Sequence, residues 1–478
     1  MLVHALAQAV ESASAEAPAA HASPLGLPAV LALFVVGSLL VVAWSRWVRP
    51  MNLALGYGAT VAMWTLSYVA MLQPGLAAGE LLFAGALACV FCAGVLAGRR
   101  SNGQASGLSV GLVSATINLM VVGAFLRDEQ GGSSITAPIY VAGLFIASGA
   151  LGAAGEWVGR RGAHGRPLPA PATVLGVVAA ANILVMIVLG GLVTSYEAGL
   201  AVPDWPNSFG HNMLLYPVAE MRGGIFYEHA HRLFGMLVGA TVLSYATVTW
   251  STRRAAETRW TAVALVSLVV VQGVLGGLRV TGAFTASMDA GDLSPDTETG
   301  IVHGMLGQAI FALAVVSAAT TTDAWRRAAG VVPGARWMRT LTLAALAALG
   351  VQLFLGTAMR HLQVPPTGEA GARIPAWALH GHITMALVAF LLVFIAGSRC
   401  RRASTERVLR VPGTGVMHAV GLQVLLGVAA LVAVLLRRGE SVPWWEAIST
   451  TSHQALGAIL LALVAMLAVA ARRVTATA

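Results

Sequence analysis

Four histidines recur at matching positions in the second half of this 478-residue sequence, and histidine binds metals and moves protons. The four are His231, His303, His382 and His453. Each stands near the beginning of a long apolar run, and the second pair follows the first by 151 and 150 residues. A Gln-x3-Gly element within each pair repeats at the same offset of 151, at Gln272 and Gln423. Several anchors at nearly one offset indicate an internal repeat.

Two histidines facing each other across a helical bundle can bind one haem iron from both sides. Inward-facing side chains on bundle helices are a common way to build a cofactor site. The repeat therefore predicts one haem held by His231 and His303. It predicts a second haem held by His382 and His453. A zinc site, which prefers more ligands, and a proton relay are the alternatives for the same side chains.

The two repeats differ beside their first histidine. Glu228 lies three residues before His231 and shares its helical face, whereas Leu379 occupies this position in the second repeat. The difference predicts a reactive site in the first repeat, with Glu228 as the catalytic residue, and an electron-transfer or structural site in the second. An acid stabilised by the helix dipole is the structural alternative. Arg232 is predicted to pair with a haem propionate, and an interfacial arginine is its alternative.

Other histidines fit this pattern less well. His229 and His380 lie two residues before their neighbours in the repeat and are expected to face elsewhere on the helix. His361 and His418 lie near the ends of apolar runs and are weaker candidates. The segment Pro203–Pro206 is predicted to form a rigid outer cap with a tryptophan at the headgroup level, or else an ordinary interfacial turn.

The composition requires that these residues be positioned by membrane helices. Hydrophobic residues make up 57% of the chain and charged residues 10%, less than half of the share in a typical soluble protein. This excludes a soluble, disordered or collagen-like chain, and three cysteines exclude a disulfide scaffold. All 29 basic residues are arginine, and they cluster between apolar runs, which indicates membrane topology rather than nucleic-acid binding despite a net charge of +9.

Thirteen apolar runs are long enough to cross a bilayer as helices. They lie near residues 27–45, 53–72, 80–98, 106–126, 136–157, 172–194, 229–250, 260–280, 300–321, 339–359, 376–397, 415–436 and 447–470. Arginine clusters follow the odd-numbered runs, which predicts an outside N-terminus and a cytoplasmic C-terminus. Arg437 and Arg438, which lie in a predicted outer loop, are the main departure from this charge pattern. The start of the chain lacks the pattern of a cleaved signal peptide, so the first run is expected to stay as an anchor.

The predicted fold is an all-α polytopic membrane protein whose last eight spans form two tandem four-helix bundles. Residues 1–160 form a five-span region of unknown role, and 161–171 form a linker rich in Gly, Arg and Pro. The first four-helix unit is predicted at 172–325 and the second at 326–478. Because each unit has an even number of spans, the repeat is a parallel one.

Several segments together resemble the haem A synthase family. They are Gly190–Thr194, Gly199–Pro206, Glu228–Leu233 and Gln272–Leu278, with His303 and His453 in helices that contain glycine. The resemblance covers about residues 172–470. It implies eight spans in two halves, each with a bis-histidine haem site, in a multi-pass protein of the cell inner membrane.

The resemblance also implies an activity and partners. Members of the family oxidise the C8 methyl group of haem O to a formyl group, which gives haem A for terminal oxidases. By their positions in the family pattern, His231 and His303, beside Glu228, are implied to bind the substrate haem. His382 and His453 are implied to bind a haem b. Haem O synthase and a terminal oxidase are the implied protein partners.

Three features depart from the family pattern. The five N-terminal spans are additional, the outer loop after span six has no cysteine pair, and Ile383 stands where the first repeat has an arginine. Two rival functions stay open at this point. A di-haem b electron-transfer protein would need the four histidines but not the asymmetric Glu228, and a transporter-like membrane module would bind no haem.

Overall fold

The computed structural model describes residues 27–72, 79–126, 136–162, 165–281, 297–328, 336–363, 374–403, 406–437 and 441–475. In these ranges the chain forms fourteen α-helices and one antiparallel pair of two-residue strands. The first seven helices are α1 (Leu27–Trp47), α2 (Pro50–Leu72), α3 (Gly79–Arg100), α4 (Gly107–Leu126), α5 (Thr136–Arg161), α6 (Pro171–Ser195) and α7 (Gly223–Ser251). The others are α8 (Ala256–Thr281), α9 (Thr297–Thr320), α10 (Asp323–Arg327), α11 (Arg336–His361), α12 (Ala376–Ala403), α13 (Arg407–Leu436) and α14 (Trp444–Val474). The strands are β1 (Asn207–Ser208) and β2 (His211–Asn212).

The helices match the apolar runs of the sequence. Within the described ranges, eleven helices are long and apolar enough to cross a bilayer, and α1 and α4 contribute the shorter apolar stretches Ala32–Trp47 and Gly107–Val121. A helix is the expected form of such a run, because it satisfies its own backbone hydrogen bonds where no water is available. Each of the thirteen predicted runs coincides with a helix, so the all-α polytopic membrane fold is confirmed. The extra helix α10 is a five-residue turn.

The chain divides into two compact units. The first comprises Met1–Asn182 and Glu197–Arg253, and the second comprises Ile183–Tyr196 and Arg254–Ala478. His231 therefore belongs to the first unit, and His303 to the second. The domain boundaries inferred from the repeat, and the pairing of these two histidines, stay predictions of the sequence.

In the first unit, small residues bring helices of the N-terminal region close together. A Cβ atom on Gly94 of α3 would lie 2.2 Å from the carbonyl oxygen of Gly152 of α5. A Cβ atom on Gly107 of α4 would lie 2.1 Å from the same oxygen. Membrane helices associate through such small residues, since the lipid provides no hydrophobic drive for their association.

Helix α7, which carries Glu228 and His231, is fixed in the first unit by polar and aromatic contacts. The Ser45 hydroxyl of α1 donates to Ser244 Oγ at 2.9 Å, and Ser244 in turn donates to the hydroxyl of Tyr57 at 3.0 Å. The rings of Trp64 on α2 and Phe234 on α7 meet edge to face, with centroids 5.5 Å apart. The N-terminal helices thus support the helix that carries the predicted reactive residues.

In the second unit, α9 packs against α8, α11 and α14, and α12, α13 and α14 pack against one another. The side chains of Arg437 and Glu446 are buried in this unit, and Arg437 Nη1 lies 3.6 Å from Glu446 Oε1. Arg437, one of the two arginines that depart from the predicted charge pattern, therefore has a buried charge partner in this unit. Arg438 lies outside the described residues.

Candidate functional site

Two of the four repeated histidines face each other within the second unit. His382 lies in the second turn of α12, and His453 lies in the third turn of α14. Their ring centroids are 6.3 Å apart, and the ring planes cross at 76°. The structure thus brings together the pair that the repeat predicted for the second haem.

This separation fits the binding of one iron between the rings. A metal–imidazole bond of about 2 Å on each side would place the centroids of two opposed rings about 6 Å apart. Buried amide oxygens provide a second sign. Oε1 of Gln352 and Gln423 accepts no hydrogen bond among the described residues, and a buried polar atom of this kind needs an explanation, such as a redox role or a bound ion. His382 and His453 are therefore the residues that would hold a haem in this unit.

A glutamine and a glycine on the preceding helix contact each ring of this pair. Gln352 Nε2 of α11 lies 3.1 Å from both ring nitrogens of His382. A Cβ atom on Gly356, one turn further along α11, would lie 2.9 Å from Cε1 of the same ring. The imidazole therefore fits between the amide and a backbone that has no side chain to obstruct it.

The same arrangement recurs at His453. Gln423 Nε2 of α13 lies 3.2 Å from His453 Nδ1 and donates to the His453 carbonyl oxygen at 3.1 Å. A Cβ atom on Gly427 would lie 2.9 Å from His453 Cε1. The repeat predicted Gln423 and Gly427 as equivalent to Gln272 and Gly276, but its spacing does not indicate their contact with the histidine.

His303 has an equivalent neighbourhood. Gln272 Nε2 of α8 donates to the His303 carbonyl oxygen at 2.9 Å, and a Cβ atom on Gly276 would lie 3.2 Å from His303 Cε1. One turn before His303 on α9, Gly300 lies against the His361 ring, which a Cβ atom there would approach to 2.9 Å. His361 is thus closer to the predicted site than its place at a helix end suggested.

In the first unit, Glu228 is buried and both of its carboxylate oxygens accept hydrogen bonds from the chain. Glu228 is 4% exposed and lies in the second turn of α7. Its Oε2 accepts from the Val202 backbone N–H at 2.8 Å, and its Oε1 accepts from Arg232 Nη2 at 2.5 Å. The carboxylate therefore joins α7 to the loop that precedes it.

Arg232 reinforces the same connection. Its Nη1 donates to the carbonyl oxygens of Asp204 at 2.7 Å and Asn207 at 3.0 Å, and its Nη2 donates to that of Val202 at 2.9 Å. Together with the bond to Glu228, these contacts use the four N–H groups of the two terminal nitrogens. Only the Nε–H group of Arg232 could bind a haem propionate, as predicted, without loss of one of these contacts.

The loop between α6 and α7 is itself ordered by its own polar groups. The Asp204 carboxylate accepts from the backbone N–H groups of Phe209 at 2.7 Å and Gly210 at 2.8 Å, which closes the turn that contains β1 and β2. We name the contacts of Glu228 and Arg232 with residues Val202–Asn207 the loop clamp. The predicted outer cap at Pro203–Pro206 lies within this clamp.

His229 contacts the loop rather than the site of His231. Its Nδ1 lies 3.1 Å from Ser208 Oγ, and its ring centroid lies 4.9 Å from that of Tyr216. Burial, followed by the neighbouring Glu220 charge, raises the pKa of the Tyr216 phenol to about 12. Tyr216 therefore stays neutral at physiological pH and keeps its hydroxyl proton.

Comparisons with known proteins match the part of the chain that contains these residues. The model of a family described as cytochrome oxidase assembly protein matches residues 173–466. The Heme A synthase of Caulobacter sp. (strain K31) is 28% identical to this chain over 336 residues, which cover 60% of this chain and 91% of that protein. The family match contains Glu228, Arg232 and the four repeated histidines, and it leaves the five-span N-terminal region outside.

Proposed function

Because this chain belongs to the family of cytochrome oxidase assembly proteins that includes the haem A synthases, we propose that it is a haem A synthase. The family resemblance drawn from the sequence is confirmed. The proposed reaction oxidises the C8 methyl group of haem O to a formyl group and yields haem A for terminal oxidases. The observation that carries the proposal is the pair His382 and His453, whose rings face each other at 6.3 Å within a bundle of apolar helices.

The proposal assigns the two haems to different ligands. His231 and His303 bind haem O as substrate, and His382 and His453 hold a resident haem b. A bound haem iron supplies one-electron redox chemistry, whereas the protein supplies axial ligands, burial and neighbouring charge. His382 and His453 lie on packed helices of one unit, so their positions are set before a haem binds. This suits a permanently bound haem b.

Glu228 is proposed as the acid–base group of the substrate site. With oxygen from water, conversion of a methyl to a formyl group releases four electrons, which must pass to an external electron acceptor, and four protons, so the site needs a proton acceptor. Glu228 is a buried carboxylate one helical turn from His231. A proton can reach one of its carboxylate oxygens once the hydrogen bond from Val202 N–H or from Arg232 is broken. The loop clamp gives Glu228 a positioning role as well, and the two roles are separable by experiment.

The proposed setting is the cell inner membrane, with the N-terminus outside and the C-terminus in the cytoplasm. The candidate histidines then lie towards the outer surface of the membrane. Haem O synthase as the source of substrate and a terminal oxidase as the recipient of product are the proposed partners.

Extraction of pigments from the purified protein tests this proposal. Cells that make haem O and express this chain are expected to contain haem A, and the purified protein is expected to carry haem b together with haem O or haem A, identified by mass. Haem b without any haem A or haem O would identify an electron-transfer protein instead. A protein free of haem would contradict both functions and favour the transporter-like alternative.

A further inference from the structure

Three of the repeated histidines are held by the same two-residue device on the preceding helix. In each case a glutamine and the glycine four residues later lie on one helical face, since four residues are about one turn. The three elements are Gln272 with Gly276, Gln352 with Gly356, and Gln423 with Gly427. They contact His303, His382 and His453 respectively. The middle element was not identified from the sequence.

The contacts are reciprocal in two of the three cases. The His453 ring lies over Gly427, and Gly457, four residues after His453, lies against Gln423, whose Nε2 would be 3.1 Å from a Cβ atom there. His303 lies over Gly276 in the same way, and a Cβ atom on Gly307 would lie 3.2 Å from Gln272 Nε2. Each glutamine therefore occupies the space left by one glycine, and each imidazole the space left by another.

We propose that these Gln-x3-Gly elements are positioning elements that fix the orientation of the axial histidine rings. The inference rests on the proposed function, because it assumes that the rings bind haem iron. The glycine sets how far the ring can withdraw into the preceding helix, and the glutamine amide restricts rotation of the ring. Groups that orient a ligating histidine in this way strongly influence the affinity of the site.

The geometry at His382 and His453 explains why such a device is needed. The two ring planes cross at 76°, and the iron itself does not hold an imidazole at one rotation about its bond. Gln352 Nε2 is equally distant, at 3.1 Å, from both nitrogens of His382, so it lies across the ring rather than along one N–H direction. A turn of the ring would bring one nitrogen or carbon into the amide.

The chain offers its own comparison in α6. The segment Val185–Gly190 matches Val351–Gly356 in the position of its valine, leucine and glycine, but it has Met186 where the other has Gln352. A membrane helix of this repeat thus accepts methionine at the glutamine position. Glutamine-to-methionine substitutions therefore remove the amide while keeping a side chain of similar length.

The test uses two kinds of variant on the purified full-length protein. Gly356→Ala and Gly427→Ala place a methyl group 2.9 Å from a ligand ring. Their matched controls are Gly350→Ala and Gly421→Ala on the same helices, where an added Cβ meets nothing within 4 Å. The haem b to protein ratio is measured for all four, and the low-spin electron paramagnetic resonance spectrum is recorded for Gln352→Met and Gln423→Met.

We expect the first two glycine variants to lose haem b about 10-fold or more relative to their controls. The methionine variants should keep haem b but change the anisotropy of the low-spin signal, which depends on the relative orientation of the ring planes. If Gly356→Ala fails to fold, the methionine variants decide alone.

Two outcomes would contradict different parts of the proposal. If the glycine variants matched their controls and the methionine spectra were unchanged, the positioning role would be overturned while the haem assignment stood. If the unsubstituted protein held no haem b, or kept it after loss of His382, the proposed function itself would fail.

Discussion

The loop clamp and the pair of His382 and His453 use polar side chains in opposite ways. In the loop clamp, Glu228 and Arg232 are buried, and nearly all of their donors and acceptors are used by each other and by the backbone of the preceding loop. At the second pair, the two rings face each other and are contacted mainly by amides and glycines. The first arrangement stabilises the protein's own loop, whereas the second is prepared to receive a ligand.

A buried charge near a candidate site can take part in the chemistry or can support the protein's own structure. The contrast shows that these two roles must be distinguished. A buried ion pair whose atoms are satisfied by backbone groups can persist for the sake of the loop alone, because removal of one partner leaves an uncompensated charge. A pair of facing imidazoles has no such structural explanation within a bundle of apolar helices. The following variants separate ligand binding from loop support.

The largest effect is expected from the proposed substrate ligands. His231→Ala or His303→Ala would remove a proposed ligand of haem O, so haem A in extracted pigments should fall below detection while haem b stays near its normal amount. His418→Ala, at an exposed position of α13, is the control. Normal haem A in both ligand variants would show that the substrate binds elsewhere.

A smaller but still large effect is expected from Glu228→Gln. The amide keeps the size of the side chain and an oxygen that can accept from Val202, but it loses the charge and the proton acceptor. Acid–base groups contribute roughly 10²–10⁴-fold to rate, so haem O or a hydroxylated intermediate should accumulate with haem b unchanged. The control is Glu220→Gln at an exposed position of the loop between α6 and α7. Haem A at the level of this control would mean that Glu228 is structural.

Arg232→Lys separates the loop clamp from the chemistry. The ammonium group cannot reproduce the fork that contacts three carbonyl oxygens and Glu228. Lysine keeps the charge but loses most of the hydrogen bonds to the loop carbonyl oxygens, so protease cleavage of the loop between α6 and α7 should become faster. Arg222→Lys, at an exposed site, is the control. If this variant lost as much haem A as Glu228→Gln, the carboxylate would act only through the loop.

Much of the fold could be predicted because the membrane limits the choices. A run of about 20 apolar residues in a bilayer forms a helix, so the thirteen runs and the all-α class followed from composition alone. The pair of His382 and His453 followed from the spacing of the repeat, since two bundles of the same build place equivalent residues at equivalent depth.

Other features depended on contacts that spacing does not specify. Gln352 and Gly356 were not predicted because the matching segment of α6 has Met186 in place of the glutamine and precedes it by 166 residues instead of 151. They precede His382 by the same distance as Gln423 and Gly427 precede His453, and that signal would have identified them. The loop clamp could not be predicted from residue spacing, because it joins an arginine to the carbonyl oxygens of an irregular loop.

The most direct test of the account is the haem b content of the purified His382→Ala and His453→Ala variants. We predict that either substitution removes the low-spin haem b signal from the reduced-minus-oxidised spectrum while the protein remains folded in the membrane. His380→Ala, at an exposed position on the same helix as His382, should keep it. Full haem b content and an unchanged spectrum in both ligand variants would contradict the central claim.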